Sequence, residues 1–271
     1  MSILSKKQAE QVDRQLQAYR DQVEIGNVSV PFGDGILNLI VDPFVASPAI
    51  MNSGVQIIQH MARNPELVRG KTVIDMGTGC GIIGIAAARL GAKKVIMTDI
   101  DERAVHNAQK NISKYGLENV CEAVQGDLFN SIFGGTKADV QIFNHPYFLA
   151  DPLPDEAWSR MMLGGIELLR RYLHQAPRYS LADAAYLLSW FVLAGNGADQ
   201  LDNDPAKIAP AFGYRVKEQE EQSALENGLQ NDPFVMYELE YLNAEDYIEK
   251  LQREVSFDLD MPLDKFIRAR R

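Results

Sequence analysis

Apolar positions follow two periods along this chain, and the change of period marks out its elements. Between residues 6 and 23, Val12, Leu16, Tyr19 and Val23 recur on one face of a helix. Val28-Ser29-Val30-Pro31-Phe32 then alternates, Gly33-Asp34-Gly35 turns and Ile36 to Val41 returns, which predicts a hairpin. A helix opens around Met51 to Gln56. From there, short apolar runs alternate with helical stretches. Strands are predicted near Val73-Ile74, at Lys94 to Thr98, Val120 to Val124, Val140 to Phe143 and Tyr186 to Val192. Helices are predicted at Ile82 to Leu90, at Glu102 to Tyr115, and over the segment holding Ile166, Leu169 and Leu173. A short helix from Pro205 to Phe212 ends at Gly213. Tyr214 to Glu220 and Phe234 to Leu242 form two further strands across a polar gap, and residues 245 to 255 add a helix before a charged tail at 264 to 271. Strands interleaved with helices, each strand apolar enough to be covered on both faces, define an α/β protein with a largely parallel sheet.

The segment Val73-Ile74-Asp75-Met76-Gly77-Thr78-Gly79-Cys80-Gly81 narrows this further. A strand, a turn with glycine at every second position and a helix form the opening of a nucleotide-binding unit, where a Cβ would block the turn and hold a ligand off the backbone. Position 82 is Ile, so the third glycine of the NAD fingerprint is missing. Asp-x-Gly-x-Gly-x-Gly resembles instead the first motif of class I S-adenosylmethionine (SAM) methyltransferases. That resemblance implies Asp75 near the methionine part of SAM, with Gly77, Thr78, Gly79 and Gly81 passing beneath it. Asp99 ends the second strand 22 positions after Gly77, close to the spacing at which an acid takes the ribose hydroxyls. Its alternative role is to cap the helix that follows. Gly126-Asp127-Leu128-Phe129 follows the third strand, where the family holds the adenine amino group with an acid. Ile100, Asp127 and Leu128 join the expected cofactor-binding set on the same resemblance.

Asn144-His145-Pro146-Tyr147, after the fourth strand of the sheet, resembles the Asn/Asp-Pro-Pro-Tyr/Phe motif of methyltransferases that modify planar nitrogens. Release-factor glutamine enzymes and ribosomal-RNA guanine enzymes are examples. A conjugated nitrogen is a poor nucleophile until acceptors on its N–H groups push the lone pair out of conjugation. By resemblance, the Asn144 side-chain oxygen and the His145 carbonyl accept those bonds, Asn144 also borders the cofactor, and Tyr147 stacks on the acceptor. Pro146 and Trp158 extend the acceptor site. Holding the nitrogen in line is chiefly an orientation effect. His145 departs from the pattern; its imidazole, with an ordinary pKa near 6.5, is either a base for an ammonium acceptor or packing beneath Tyr147. Ser53 and Gln56 resemble residues that touch the SAM methionine group, with a helix cap at Asn52 or Ser53 as the other reading.

Composition changes the picture in three places. A net charge of −10 and a pI near 5.0 argue against a nucleic-acid acceptor, which calls for a cationic surface, and favour a small molecule or a protein side chain. Two cysteines, Cys80 and Cys121, make no disulfide framework. His60, His106 and His174 lack ligand spacing, so no metal is expected. No apolar run is long enough to span a bilayer and the amino terminus lacks a signal-peptide core, which places the protein in the cytoplasm, off the membrane. The oligomeric state is not legible.

The resemblance covers about Met51 to Leu242. It implies a Rossmann-like seven-stranded mixed sheet with helices on both faces, its last two strands antiparallel. Residues 1–45 form an N-terminal helix and hairpin cap, which either lids the site or is structural. Residues 46–243 form the methyltransferase domain and 244–271 a C-terminal helix and tail. The expected activity is methyl transfer from SAM, releasing S-adenosylhomocysteine, to an amide or amine nitrogen. The rivals are O- or C-methylation on the same fold, and a non-catalytic SAM-binding partner protein.

Overall fold

The computed structural model describes residues 6–24, 26–148, 151–191, 204–222 and 234–242. The helix predicted at 245–255 and the tail at 264–271 lie outside the described residues, as does Val192.

Helix α1 (Lys6–Asp21) is followed by the hairpin of β1 (Gly26–Phe32) and β2 (Gly35–Val41), paired antiparallel. Next come α2 (Ser53–Arg63), β3 (Thr72–Met76), α3 (Ile82–Arg89), β4 (Lys94–Asp99), α4 (Glu102–Lys114), β5 (Cys121–Gln125) and β6 (Ala138–Phe143). Helix α5 (Gly165–Gln175), β7 (Ser180–Phe191), α6 (Pro205–Ile208), β8 (Tyr214–Gln222) and β9 (Phe234–Tyr241) complete the described elements. The seven-stranded sheet runs β5-β4-β3-β6-β7-β9-β8. Its first five strands are parallel, and β9 is antiparallel to both neighbours. The strand order reverses between β3 and β6. In an open sheet of this kind, the crevice at the carboxyl ends of such strands is where ligands bind.

The two faces of the sheet are covered by separate apolar layers. Ile57, Ile58, Ile85 and Ala86 from α2 and α3 pack with Val73, Val95, Val140 and Leu187 on one side; Leu169, Tyr172 and Leu173 from α5 pack with Ile74, Tyr186 and Leu188 on the other. Each of these side chains is fully buried or within a few per cent of it, which removes about 1.5–3 kcal/mol of exposed apolar surface per large aliphatic residue.

Two elements differ from the sequence reading. Strand β7 begins at Ser180, well before Tyr186. A register shift between Ala138 and Val140 lets β6 pair with its polar beginning, where Gln141 donates to the Ser180 hydroxyl (2.6 Å) and the Ala176 carbonyl (2.9 Å). Helix α1 stops at Asp21, where the Val23 N–H bonds the Asp21 carbonyl in a tight turn. Val12, Leu16 and Tyr19 are therefore buried, whereas Val23 is 70% exposed.

The N-terminal cap divides in two. The hairpin is fastened to α4 by side chains one turn apart: Asn107 and Asn111 both donate to the Ile40 carbonyl and accept from the backbone of Asp42 and Ile40, and the Tyr115 hydroxyl bonds both backbone groups of Asn38. Helix α1 instead lies against the segment after β6, with Val12, Leu16 and Tyr19 packed on Phe148, Trp158, Met162 and Leu163, and the bidentate Arg20–Glu156 pair at 2.9 Å ties it there.

Candidate functional site

A cavity of about 630 Å³ opens at the carboxyl ends of β3, β4 and β6, within the range of small-ligand and cofactor sites. One wall is built from the turns that end these strands, including Gly77, Gly79, Asp99 and Ile100, with Asp127 and Leu128 beyond β5. The other wall comes from Asn144 and Pro146, from Trp158, Met161 and Leu163 of the segment after β6, and from Glu167 and Arg171 of α5.

The glycine turn has the shape its sequence implies. Gly77, Gly79 and Gly81 have φ of +67°, +56° and +89°, a region L side chains rarely enter. A Cβ on Gly79 would sit 3.0 Å from the Ala46 Cβ, and one on Gly81 would sit 2.9 Å from the Met97 Cε. Gly81 therefore lets α3 approach β4 and α4, and it does not line the cavity.

Asp75 is fully buried beneath this turn. It accepts from the Thr78 hydroxyl (2.6 Å) and from the Gly84 N–H (3.0 Å), and its second oxygen has no partner. Neither Asp75 nor Thr78 borders the cavity; in this structure they brace the turn. Burial pushes the Asp75 pKa up to about 7, opposed by the bonds from Thr78 and Gly84. A raised carboxyl pKa means that the folded chain holds the proton more tightly than the unfolded one. The associated stability is complete below pH 4 and is lost as pH rises through 7, a span worth on the order of 4 kcal/mol. Replacing Asp75 by Asn keeps both accepted bonds and removes the titration. Thermal melts between pH 5.5 and 8.5 should show a shallower fall in Tm with pH for Asp75→Asn than for the wild type; what remains combines Asp99, shifted in the same direction, with His145, whose lowered pKa acts in the opposite one. An unchanged slope would contradict this role.

Asp99 faces the cavity half-buried, and each oxygen takes one backbone N–H: Oδ2 from Gly79 (2.9 Å) and Oδ1 from Asp101 (3.0 Å). Burial raises its pKa to about 6, against those two bonds. It does not cap α4; Asp101 does, accepting from the Arg103 N–H. Asp127 lines the cavity as expected and is held by Arg171 at 2.6 Å. Leu128 beside it has φ +53°.

The Asn144-His145-Pro146-Tyr147 turn is packed differently from the sequence expectation. Asn144 and Pro146 border the cavity; His145 and Tyr147 do not. The His145 ring is buried between Phe143 and Tyr147, its Nδ1–H donates to the Pro146 carbonyl (2.8 Å), and its Nε2 is buried with no partner. Burial lowers its pKa to about 4. His145 is thus packing and not a solvent-facing base. The Tyr147 ring stands edge-on to His145 at 5.3 Å, and its hydroxyl bonds the Asn144 Oδ1 and the Ser189 hydroxyl. Helix α5 begins hard against this turn: the Gly164 and Gly165 N–H groups both bond the Phe148 carbonyl, and a Cβ on Gly165 would lie 2.1 Å from the Pro146 oxygen.

Trp158 lines the cavity with its ring 5.6 Å from Phe44 and 5.7 Å from Tyr19 of α1. Asn52 stands at the start of α2 without a capping side-chain bond, and the buried Ser53 and Gln56 do not reach the cavity. Sequence reasoning missed Arg171 and the loop from Phe44 to Met51, which carries no motif. Its one signature, φ +60° at Phe44, is invisible in the sequence. Among the described residues no group of histidine, cysteine and acid side chains could hold a metal, no helix is long and apolar enough to cross a membrane, and Cys80 and Cys121 are free and buried.

This fold has known counterparts. The crystal structure of the Thermus thermophilus 16S rRNA N2 G1207 methyltransferase RsmC, in complex with AdoMet and guanosine, superposes with a TM-score of 0.56 at 16% identity, over 81% of this chain and 51% of that one. The ribosomal protein L11 methylase of Lactobacillus delbrueckii subsp. bulgaricus superposes with a TM-score of 0.51 at 21% identity, over 75% and 84%. The chain has the class I methyltransferase fold. Residues 54–160 match the family model of ribosomal protein L11 methyltransferase. The enzyme of that name from Carboxydothermus hydrogenoformans is 41% identical over 97 residues, covering 36% of this chain and 31% of that protein. The chain spans about a third or less of the length of the curated relatives it matches.

Proposed function

We propose that this chain is a SAM-dependent methyltransferase acting on a nitrogen of a protein side chain or small molecule. The observation that carries the reading is one cavity joining Gly77, Gly79, Asp99 and Asp127 to Asn144 at the reversal point of the sheet. The residues present suit SAM. The positive-φ glycines let a ligand lie on the backbone, the Asp99 carboxylate keeps lone pairs free for a cis-diol after its two backbone bonds, and Asp127 offers its second oxygen to an amino group. When bound, SAM supplies an electrophilic methyl on its sulfonium sulfur. The chain's own contribution is to hold the acceptor nitrogen, with the Asn144 side-chain oxygen accepting its N–H bond and Trp158 forming the apolar side of the acceptor site; His145, whose carbonyl the resemblance gave as a second acceptor, does not border the cavity.

The buried, largely neutral His145 removes the reason for preferring an ammonium acceptor, which would need that base. It equally weakens the rival in which His145 drives O- or C-methylation. The relatives' names favour a protein acceptor, and the acidic balance of the chain agrees. Incubation of a fractionated lysate with methyl-labelled SAM tests the proposal. Label should enter the protein or small-molecule fraction. SAM binding with no incorporation into any fraction would favour the non-catalytic reading.

A further inference from the structure

Asn144 sits in a cluster of hydroxyls whose protons can be counted. Its Oδ1 is bonded by the Tyr147 hydroxyl and by the Ser189 hydroxyl at 2.8 Å. The Tyr147 and Ser189 hydroxyls are themselves 2.7 Å apart. Ser189 is 1% exposed, so its hydroxyl must find its partners within the protein. With the amide oxygen turned toward them, three contacts share two hydroxyl protons, because a carbonyl oxygen only accepts. One contact is then two oxygens facing each other with nothing between. A half-turn of the amide puts NH2 in the same place. Its two N–H groups donate to Tyr147 and Ser189, one of those hydroxyls donates to the other, and every contact is filled. The amide's second position lies on the Gly54 side, 3.9 Å from where a Cβ there would sit, and Asn144 borders the cavity.

We infer that the Ser189 and Tyr147 hydroxyls grip the Asn144 amide by its NH2 and so present its oxygen to the cavity as the acceptor for the substrate N–H. Ser189 on β7 is a positioning residue, and Tyr147 acts through its hydroxyl, not through stacking. This rests on the reading of Asn144 as the group that orients the acceptor nitrogen, and it explains why an oxygen-facing cluster would be built behind a residue whose oxygen is needed in front.

Solvent exchange of the Asn144 side-chain NH2 in ¹⁵N-labelled full-length protein tests the orientation directly, with its signals assigned by their loss in Asn144→Asp. In the wild type they should exchange at least about tenfold more slowly than surface Asn and Gln amides. Ser189→Ala and Tyr147→Phe should each abolish that protection, and Ser189→Thr, which keeps the hydroxyl, should retain it. In the lysate fraction that the wild type labels, Ser189→Ala and Tyr147→Phe should lower kcat about tenfold, with KM and SAM affinity within about twofold, and Ser189→Thr should recover turnover. An Asn144 amide exchanging like a surface amide in the wild type would overturn the inference, and so would full turnover in both Ser189→Ala and Tyr147→Phe. A wild type that transfers no methyl group defeats the proposed function instead, and leaves the exchange result to decide the orientation.

Discussion

Asn144→Ala should lower methyl transfer by about a hundredfold or more while leaving SAM affinity within about threefold of the wild type. The size follows from what the side chain does. It is the residue of the turn after β6 that borders the cavity with a side-chain acceptor and is backed by a hydroxyl cluster. Removing a preorganised hydrogen-bonding group at a reacting centre costs roughly two to three orders of magnitude in turnover. The split between turnover and binding follows from position, because Gly77, Gly79 and Asp99 lie on separate strands' ends and remain in place. Initial rates of S-adenosylhomocysteine formation, set beside calorimetric affinities, measure both. A variant with wild-type turnover would remove Asn144 from the mechanism and the nitrogen assignment with it.

Gly165→Ala should destabilise the fold and disable the site together. Helix propensity alone predicts the reverse, since Ala is favoured over Gly in a helix by about 1 kcal/mol. The new Cβ, however, would lie 2.1 Å from the Pro146 oxygen and 2.9 Å from its carbonyl carbon. Both belong to backbone that cannot swing aside as a side chain can. Separating α5 from the turn stretches the bonds from Gly164 and Gly165 to the Phe148 carbonyl (3.1 and 3.2 Å). A loss of about 3 kcal/mol is expected, a Tm lower by roughly 6–12 °C, with transfer falling further than stability because Asn144 and Pro146 move with the turn. Gly84→Ala is the comparison: its Cβ meets the Met97 side chain at 2.7 Å, a flexible neighbour that can adjust, and the cost should be smaller. A Gly165→Ala protein as stable and active as the wild type would contradict the packing.

The glycine wall of the cavity was legible because its shape is written in backbone requirements. Gly77, Gly79 and Gly81 need positive φ, and Asp99 and Asp127 end strands whose apolar runs are unmistakable. Even there Asp75, Thr78 and Gly81 support the turn and do not border the cavity, because burial and local bonding depend on what packs around the turn. The turn after β6 was less legible for a related reason. His145 and Tyr147 carry groups that suit catalysis, but α5 and β7 decide which way they face: the imidazole ended in the core and the phenol on Ser189. Trp158 meets Phe44 and Tyr19 from more than a hundred residues away, and Arg171 reaches Asp127 from the far side of the cavity. No local period or spacing encodes such meetings. The hairpin's attachment is likewise set by tertiary contact, through Asn107, Asn111 and Tyr115 of α4.

The whole account depends on the cavity at β3, β4 and β6 being the SAM site, and calorimetric titration of SAM into the wild type and Asp99→Ala at pH 7.5 and pH 5 tests that directly. The carboxylate form of Asp99 accepts hydroxyl protons, and its pKa of about 6 puts it mostly ionised at pH 7.5 and mostly neutral at pH 5. The wild type should therefore bind one SAM, competed by S-adenosylhomocysteine, with affinity falling severalfold at the lower pH. Asp99→Ala should bind at least about tenfold more weakly at pH 7.5 and lose most of the pH dependence. Absence of binding by the wild type, or equal binding by Asp99→Ala at both pH values, would contradict the account.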